Sequence, residues 1–380
     1  MDLIKNRNFA KNLLNPKILR MSDLLKINAG DYSIFIDSIS ENLETFLQQK
    51  KFEKAKFYIL VDENSHQLCL PHLMNHISAF ANAEIIEIES GEQNKTIETC
   101  IDLWSTLNEL EADRNAIIIN LGGGVITDMG GFVAATYLRG IGFINIPTTL
   151  LAQVDASIGG KVGVNQDKIK NKIGLFVHPL AVFIDTNFLI TLPKKQILSG
   201  MGEIIKHALI ADKKLWQKIK NIKFDDLNKL KSIINKSLEI KNAIVKIDAK
   251  EKNLRKKLNF GHTIGHALES FSMEDKSKVL LHGEAIAIGM ICESYLSYKN
   301  KLISKTTLTE ISAFIFSLFN RYKLKTSEFH KIIELMKFDK KNESGILNFT
   351  LLAGLGLAVV NQQATTDSIL ESLDYYCSLR

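Results

Sequence analysis

Six short apolar runs, spaced by roughly a helix's length of chain, constrain this sequence most. "YSIFI" (32–36), "KFYILVD" (56–62), "AEIIEIES" (83–90), "AIIINLGGG" (116–124), "FINIPTT" (143–149) and "AVFIDT" (181–186) are rich in β-branched and aromatic residues. Most end in a polar or glycine turn. Continuous apolar runs that do not alternate with polar residues read as strands buried on both faces. Strands of this kind separated by helical patterns imply a parallel sheet with helices on each side. Ligands then bind beyond the carboxyl ends of the strands.

After "TLP" (191–193) the pattern changes. "LNKLKSIINKSLEIKNAIVKI" carries Leu227, Leu230, Ile233, Ile234, Leu238 and Ile244 near a 3.6-residue period, and "GEAIAIGMICESYLSY" reads as a more buried helix. A boundary near residue 192 follows. It leaves an arm at 1–24, an α/β unit at 25–192 and a mainly α-helical unit at 193–380, with a small hairpin expected in "GILNFTLLAGLGLAVV". A chain of 380 residues has room for two such cores.

The turns carry the first chemical signals. "NLGGGVITDMGGF" follows a strand and opens a helix, so Gly122, Gly123 and Gly124 let backbone approach an anion at the helix start. Asp62, Asn64 and "SGEQNKT" (90–96) stand at neighbouring strand ends, as the rim of a nucleotide crevice would. The stretch 153–174 is polar and glycine-rich. Gly159 and Gly160 precede Lys161, and Lys170 and Asn171 follow, a set that suits a phosphate or carboxylate. The competing reading is a solvated loop.

Further on, "SGMGEIIKHALI" is expected to place Glu203 on the first turn of a helix with Lys206 one turn later. In "LRKKLNFGHTIGHALES", a helix continuous through Gly261 and Gly265 would gather Arg255, Asn259, His262 and His266 within about 60° of arc. An arginine, an amide and two imidazoles make a poor core face. With His282 opening the next helix, Glu203 and one or both of His262 and His266 can form a divalent-metal site. The spacing does not say which of the two histidines is the ligand.

The net charge of +6 is spread without a block of like charges, which points away from nucleic acid and suits an anionic metabolite. Cys69, Cys100, Cys292 and Cys377 form no CxxC pair and read as free thiols of a reducing compartment, hence a cytoplasmic protein. No run of 18 apolar residues suggests a membrane span. The basic N-terminus lacks an apolar h-region.

Together, "GGGVITD", "ATYLRGI", "IPTTLLAQVDASIGGKVGVN", "GEIIKHALI", "LRKKLNFGHTIGHALE" and "HGEAIAIGM" resemble the 3-dehydroquinate synthases, sugar-phosphate cyclases of the shikimate pathway. The resemblance runs over roughly nine-tenths of the chain. It implies a Rossmann-like NAD domain followed by a helical metal-binding domain, with the site between them. It also implies zinc, or cobalt, on Glu203, His262 and His282. His266 becomes a substrate-phosphate contact or proton relay. Asp155, Lys161, Asn171, Lys206, Lys241, Arg255 and Asn259 match substrate-binding positions, as does Lys340 or Lys341. Lys161, Lys206, Arg255, Asn259 and His266 are the expected catalytic set. Arg139 is expected to reach the phosphate across a homodimer. NAD contacts are implied for Asp62, Asn64, Glu92, Lys95, Gly123, Gly124, Asp128, Thr148, Thr149, Lys161, Lys170, Phe188 and Thr191. Thr127, where glycine is common, and the long arm depart from the family pattern.

The implied reaction converts 3-deoxy-D-arabino-heptulosonate 7-phosphate to 3-dehydroquinate and phosphate. It runs through transient oxidation at C5, phosphate elimination, re-reduction and aldol closure, with NAD restored. Cyclases making 2-deoxy-scyllo-inosose or an epi-valiolone would alter the substrate-side residues. A metal-dependent alcohol or glycerol dehydrogenase would need no phosphate clamp, and an inactive scaffold subunit would have lost ligands or lysines.

Overall fold

The structure is a computed structural model, and it describes residues 26–379 apart from 38, 167–168, 223–226, 276 and 338–346. The arm at 1–24, Lys340 and Lys341 lie outside the described residues. The first half runs β1 (Lys26–Asn28), β2 (Ser33–Ile36), α1 (Ile39–Leu47), β3 (Phe57–Asp62), α2 (Glu63–Leu68), α3 (Leu70–His76), β4 (Glu84–Ile88) and α4 (Ile97–Glu109). It continues through β5 (Ile117–Gly122), α5 (Gly124–Thr136), β6 (Gly142–Pro147), β7 (Lys161–Gln166), β8 (Ile169–Phe176) and β9 (Ala181–Ile184). The second half holds α6 (Lys194–Ala211), α7 (Lys213–Ile219), α8 (Leu227–Ile247), α9 (His262–Ser272), α10 (His282–Lys299), α11 (Lys305–Leu318) and α12 (Phe329–Lys337). The hairpin β10 (Asn348–Gly354) and β11 (Leu357–Gln363) and the helix α13 (Thr366–Ser378) complete it.

Seven strands form one sheet in the order β1-β2-β9-β6-β5-β3-β4, parallel throughout except for β1 against β2. Alternation along each strand sends side chains to opposite faces. Ile59, Val61, Ile117, Ile119 and Phe183 join one core cluster with Leu43, Phe46 and Leu73 of α1 and α3. Tyr58, Leu60 and Ile118 join another with Leu103 and Leu107 of α4 and Met129 and Val133 of α5. Ile34, Ile36, Val182 and Ile184 instead share the large cluster of the helical half. The β2–β9 end of the sheet is therefore where the two halves fuse.

Two expectations need correction here. β4 is not a fully buried strand: it is the sheet's edge, with Ile85 exposed and only Ile86 buried. The stretch 153–174 is not a loop. After a single π-type turn at Ala152–Ala156, β7 and β8 pair antiparallel as a ribbon. Val162 and Val164 of β7 are buried against α5 side chains, while β8 faces solvent along most of its length.

α10 is buried on all sides and organises the second half. Glycines let its neighbours approach. A Cβ on Gly289 would sit 1.9 Å from the carbonyl oxygen of Gly261, and one on Gly283 1.9 Å from that of Ser199. Side chains at these points would push α9 and α6 off α10. Gly289→Ala is expected to destabilise the protein by about 3 kcal/mol or more in urea unfolding, because its obstacle is backbone and cannot rotate away. Wild-type stability of that variant would show that the α9–α10 spacing is relaxed.

Candidate metal and anion site

α6, α9 and α10 converge at these glycine crossings, and each brings one ligand-type side chain. Glu203 lies in the middle of α6, ten residues into a helix that starts at Lys194, not on a first turn as its sequence context suggests. His262 opens α9 and His282 opens α10. One oxygen or nitrogen from each lies within 4.8 Å of the others. Both imidazole Nε2 atoms stand 3.5 Å from Glu203 Oε1. Two ligand atoms about 2.1 Å from a tetrahedral metal centre are separated by about 3.4 Å, so this spacing fits a zinc-sized ion.

Three further observations support that fit. Glu203 Oε1 is buried and accepts no hydrogen bond among the described residues, a costly state for an anionic oxygen without a cation. The Nδ1 atom of His262 is 3.1 Å from the Phe260 carbonyl oxygen, and that of His282 is 3.2 Å from Glu269 Oε2. Donation from Nδ1–H to these acceptors leaves each Nε2 lone pair free for a metal. Burial opposes charge on His282, yet Glu269 and Glu203 push its pKa up to about 10. An imidazole between two carboxylates calls for a positive partner, either a ring proton or a divalent ion. Burial raises Glu269 too, but His282 and Lys170 outweigh it and hold the carboxyl well below the usual range.

His266 shares α9 with His262, and its ring packs edge-on to His262 at 5.1 Å and tilted to His282 at 5.8 Å. Arg255 and Asn259 do not continue that helix. They lie on a 3-10 turn over Leu254–Asn259, and Gly261, at φ +81°, breaks the chain direction before α9. The expected single face through all four residues is thus corrected. The break is held from α10: the buried Glu293 carboxylate accepts hydrogen bonds from Gly261 N at 2.6 Å and Ile264 N at 3.2 Å. It caps a helix start that has no side-chain cap of its own.

A second cluster of charge adjoins the ligand triangle. Lys206, one turn beyond Glu203, pairs with its Oε2. Lys241 of α8 donates to Asp155, at 2.7 Å to the carboxylate and 2.5 Å to the carbonyl. Arg255 is 3% exposed and its Nη1 donates to the carbonyls of Gly159 (3.2 Å) and Ala249 (2.6 Å). Lys161, from β7, pairs with Glu251, whose other oxygen accepts from Asn259 Nδ2 at 2.8 Å. Glu251 has φ +57°, unusual for a residue with a side chain. Its carboxylate thus already sits among cationic and amide groups that suit a substrate anion. Nothing in the spacing singled out Glu251, His207 or Glu293. Glu269 stood beside the HxxxH pair without a role.

On the sheet side, the strand ends form a crevice. Asp62 caps α2, accepting from Ser65 N at 2.7 Å, and Asn64 is exposed beside it. α5 begins at Gly124 with Gly123 as its cap and no side-chain acceptor, so its first N–H groups remain available to an anion. A Cβ on Gly123 would lie 3.1 Å from Thr149 Cγ2, and Thr148 is buried next to it in sequence. Lys95 donates to Asp128 at 2.6 Å and to Asn171 at 2.5 Å, while Asn165 ties Glu92 to the ribbon at 2.9 Å. Asn171 therefore belongs to this sheet-side network. Lys170 crosses from the ribbon to α9, 2.7 Å from Glu269, and stands 3.9 Å from Glu92. Phe188 is buried edge-on against His72, and Thr191 is exposed. Arg139 is exposed just past the carboxyl end of α5, about 20 Å along the helix from Gly124, away from this chain's own crevice.

Residues 85–199 match the family described as 3-dehydroquinate synthase N-terminal, and residues 200–342 match 3-dehydroquinate synthase C-terminal. The 3-dehydroquinate synthase of Parabacteroides distasonis is 43% identical over 90% of this chain and 97% of its own length. A 2-deoxy-scyllo-inosose synthase solved with carbaglucose-6-phosphate, NAD+ and Co2+ aligns with a TM-score of 0.80 at 25% identity, over 93% of this chain and 99% of that one. The 2-epi-5-epi-valiolone synthase of Streptomyces hygroscopicus, with NAD+ and Zn2+ bound, shares the fold at a TM-score of 0.80 and 24% identity, over 92% and 98% of the two chains. This chain belongs to the 3-dehydroquinate synthase family.

Proposed function

We propose that the chain converts 3-deoxy-D-arabino-heptulosonate 7-phosphate to 3-dehydroquinate and phosphate in the shikimate pathway. The observation that carries this reading is the triangle of Glu203, His262 and His282 at metal-ligand spacing, with a cluster of buried cations beside it. A simple alcohol dehydrogenase has no use for Lys161, Lys206, Lys241 and Arg255 converging on one site. A polyanionic substrate does.

When bound, NAD supplies a temporary hydride acceptor for the C5 hydroxyl, and the divalent ion supplies Lewis acidity at the same oxygen. The chain's own groups do the rest. Gly123, Gly124 and the start of α5 receive the dinucleotide phosphates, with Asp62, Asn64, Glu92, Lys95, Asp128, Thr148, Thr149, Lys170, Phe188 and Thr191 around it. Lys161, Arg255, Asn259 and His266 hold the substrate's phosphate. His266 stands beside the metal ligands without being one, and its imidazole is placed to move the C6 proton next to the phosphate-bearing carbon. Lys206, Lys241 and Asp155 orient the carboxylate and hydroxyl end. Lys340 or Lys341 completes the clamp.

Zinc is the favoured ion and cobalt an acceptable one, given two imidazoles and one carboxylate. Arg139 belongs to the partner's site in a homodimer; its distance from this chain's own crevice supports that reading. The α/β and helical units meet near residue 192. The four cysteines are unpaired, as a cytoplasmic enzyme's are. Among the described residues no helix is long and apolar enough to cross a membrane.

Phosphate release from the heptulosonate with zinc and NAD tests the proposal. Turnover is expected to continue at NAD well below the substrate concentration, with no lasting NADH absorbance. One NADH accumulating per product would sink the cyclase reading in favour of a dehydrogenase.

A further inference from the structure

His207 lies one residue beyond Lys206 on α6 and is fully buried. Its Nδ1 is 2.7 Å from Ser237 Oγ on α8. Its Nε2 is buried with no hydrogen-bond partner among the described residues. That nitrogen faces Asp155 Oδ1 at 3.9 Å, beyond hydrogen-bond range. The same Asp155 oxygen takes Lys241 Nζ at 2.7 Å from its other side. A buried polar atom left unmatched is rare and costly, and this one points at a carboxylate inside the site.

We propose that His207 is a positioning residue for Asp155, which passes from Lys241 to the His207 Nε2–H when a substrate anion takes Lys241. The inference rests on the function proposed above. Without such a handover, substrate binding would take from the half-buried Asp155 carboxylate the one lysine it is paired with, leaving it only the more distant Lys206 charge. The ring must carry its proton on Nε2 and accept the Ser237 hydroxyl proton at Nδ1. The other tautomer would aim a lone pair at a carboxylate. Burial pulls the His207 pKa down to about 3, with Lys206 adding to the effect, so the ring stays neutral and its one proton has a defined place. No proton leaves His207 in this role. It supplies a donor that appears only as Lys241 departs.

The test uses the full chain with zinc and NAD bound. His207→Phe is expected to lose about 10- to 30-fold in kcat/KM for the heptulosonate phosphate. Metal content, the visible spectrum of the cobalt form and NAD affinity are expected to stay within about twofold of wild type. His207→Gln, whose amide can donate from near the Nε2 position, is expected to recover most of the loss. In wild type, long-range 1H–15N spectra are expected to show the Nε2 tautomer, with its proton signal shifting on addition of substrate but not of NAD alone. An Nδ1-protonated ring overturns the proposal, as does wild-type efficiency in His207→Phe. Equal losses in the Phe and Gln variants accompanied by weakened metal binding would also overturn it, because that pattern belongs to a packing role. If His207→Phe does not fold, the Gln variant and the wild-type tautomer decide. Wild-type protein that releases no phosphate refutes the proposed function itself, and the tautomer measurement judges His207 independently.

Discussion

His262→Ala and His282→Ala are expected to lose their divalent ion on dialysis, and His266→Ala to retain it. All three rings lie within 6 Å of each other, centre to centre, so proximity alone does not separate them. The carboxylate each group gathers around does: His262 and His282 share ligand spacing with Glu203, whereas His266 shares it with Glu269 and His282. His262 and His282 have their Nδ1 acceptors, the Phe260 carbonyl and Glu269, and both turn Nε2 to the same Glu203 oxygen. Removing one of three protein ligands should weaken binding beyond the roughly 10- to 100-fold typical of losing an outer-shell partner. Loss of the ion removes several kcal/mol of charge stabilisation, so activity should fall by about 1,000-fold or more. His266→Ala is expected to be slow with its metal in place. Elemental analysis of the dialysed variants decides. Metal lost from His266→Ala but kept by His262→Ala would show the assignment to be wrong. Glu203→Ala is a poorer probe, since it also leaves Lys206 without its buried partner.

Much of the fold could be read because the central strands are buried on both faces. "AIIINLG" and "FINIP" have no solvent side to blur them, and both are strands of the parallel sheet. The β7–β8 ribbon hid itself for the opposite reason. Val162 and Val164 are its buried core side chains, joined by the partly buried Ile173, and β8 carries Lys170, Asn171 and Lys172 on a mostly exposed strand. Its polarity reads as loop, while its hydrogen bonds come from β7. The HxxxH pair was visible as one helix face. What local periodicity cannot show is that α9 starts only at His262, because the break at Gly261 is secured by Glu293 on another helix. Nor can it show which helices meet. Gly283 and Gly289 set that spacing, and their purpose appears only when the backbones they admit are in view. Glu251 and His207 stayed silent because neither belongs to a spaced pair. Each matters through partners contributed by other elements.

Arg255→Ala is expected to lower catalytic efficiency by about 10- to 100-fold while NAD affinity changes little. The sequence suggested this arginine on one helical face with Asn259, His262 and His266. In the structure it is 3% exposed, and its guanidinium bridges the Gly159 carbonyl of the sheet half to the Ala249 carbonyl of the helical half. A Cβ on Gly159 would come within 2.7 Å of Arg255 Nη2, so the loop glycine and the arginine are fitted to each other. Burial lowers its pKa, while Glu251, Asp155 and other acids oppose that pull. A buried cation that spends one nitrogen on two carbonyls still has donors for a substrate anion. A charge-assisted contact of this kind is worth roughly 1.5 to 3 kcal/mol, which is the stated loss in efficiency. The two carbonyls give the variant a second signature. They lose their donor, so stability should fall by about 1 to 3 kcal/mol. Arg255→Lys separates the two effects. An ammonium has three donors on one nitrogen, but it lacks the planar fork whose Nη1 takes both carbonyls while its other nitrogens remain for the anion. Part of the stability should return in Arg255→Lys, and less of the efficiency. Efficiency and stability recovering in parallel would mean that Arg255 acts only as a strut between the halves. Wild-type efficiency in Arg255→Ala would remove it from the anion clamp altogether.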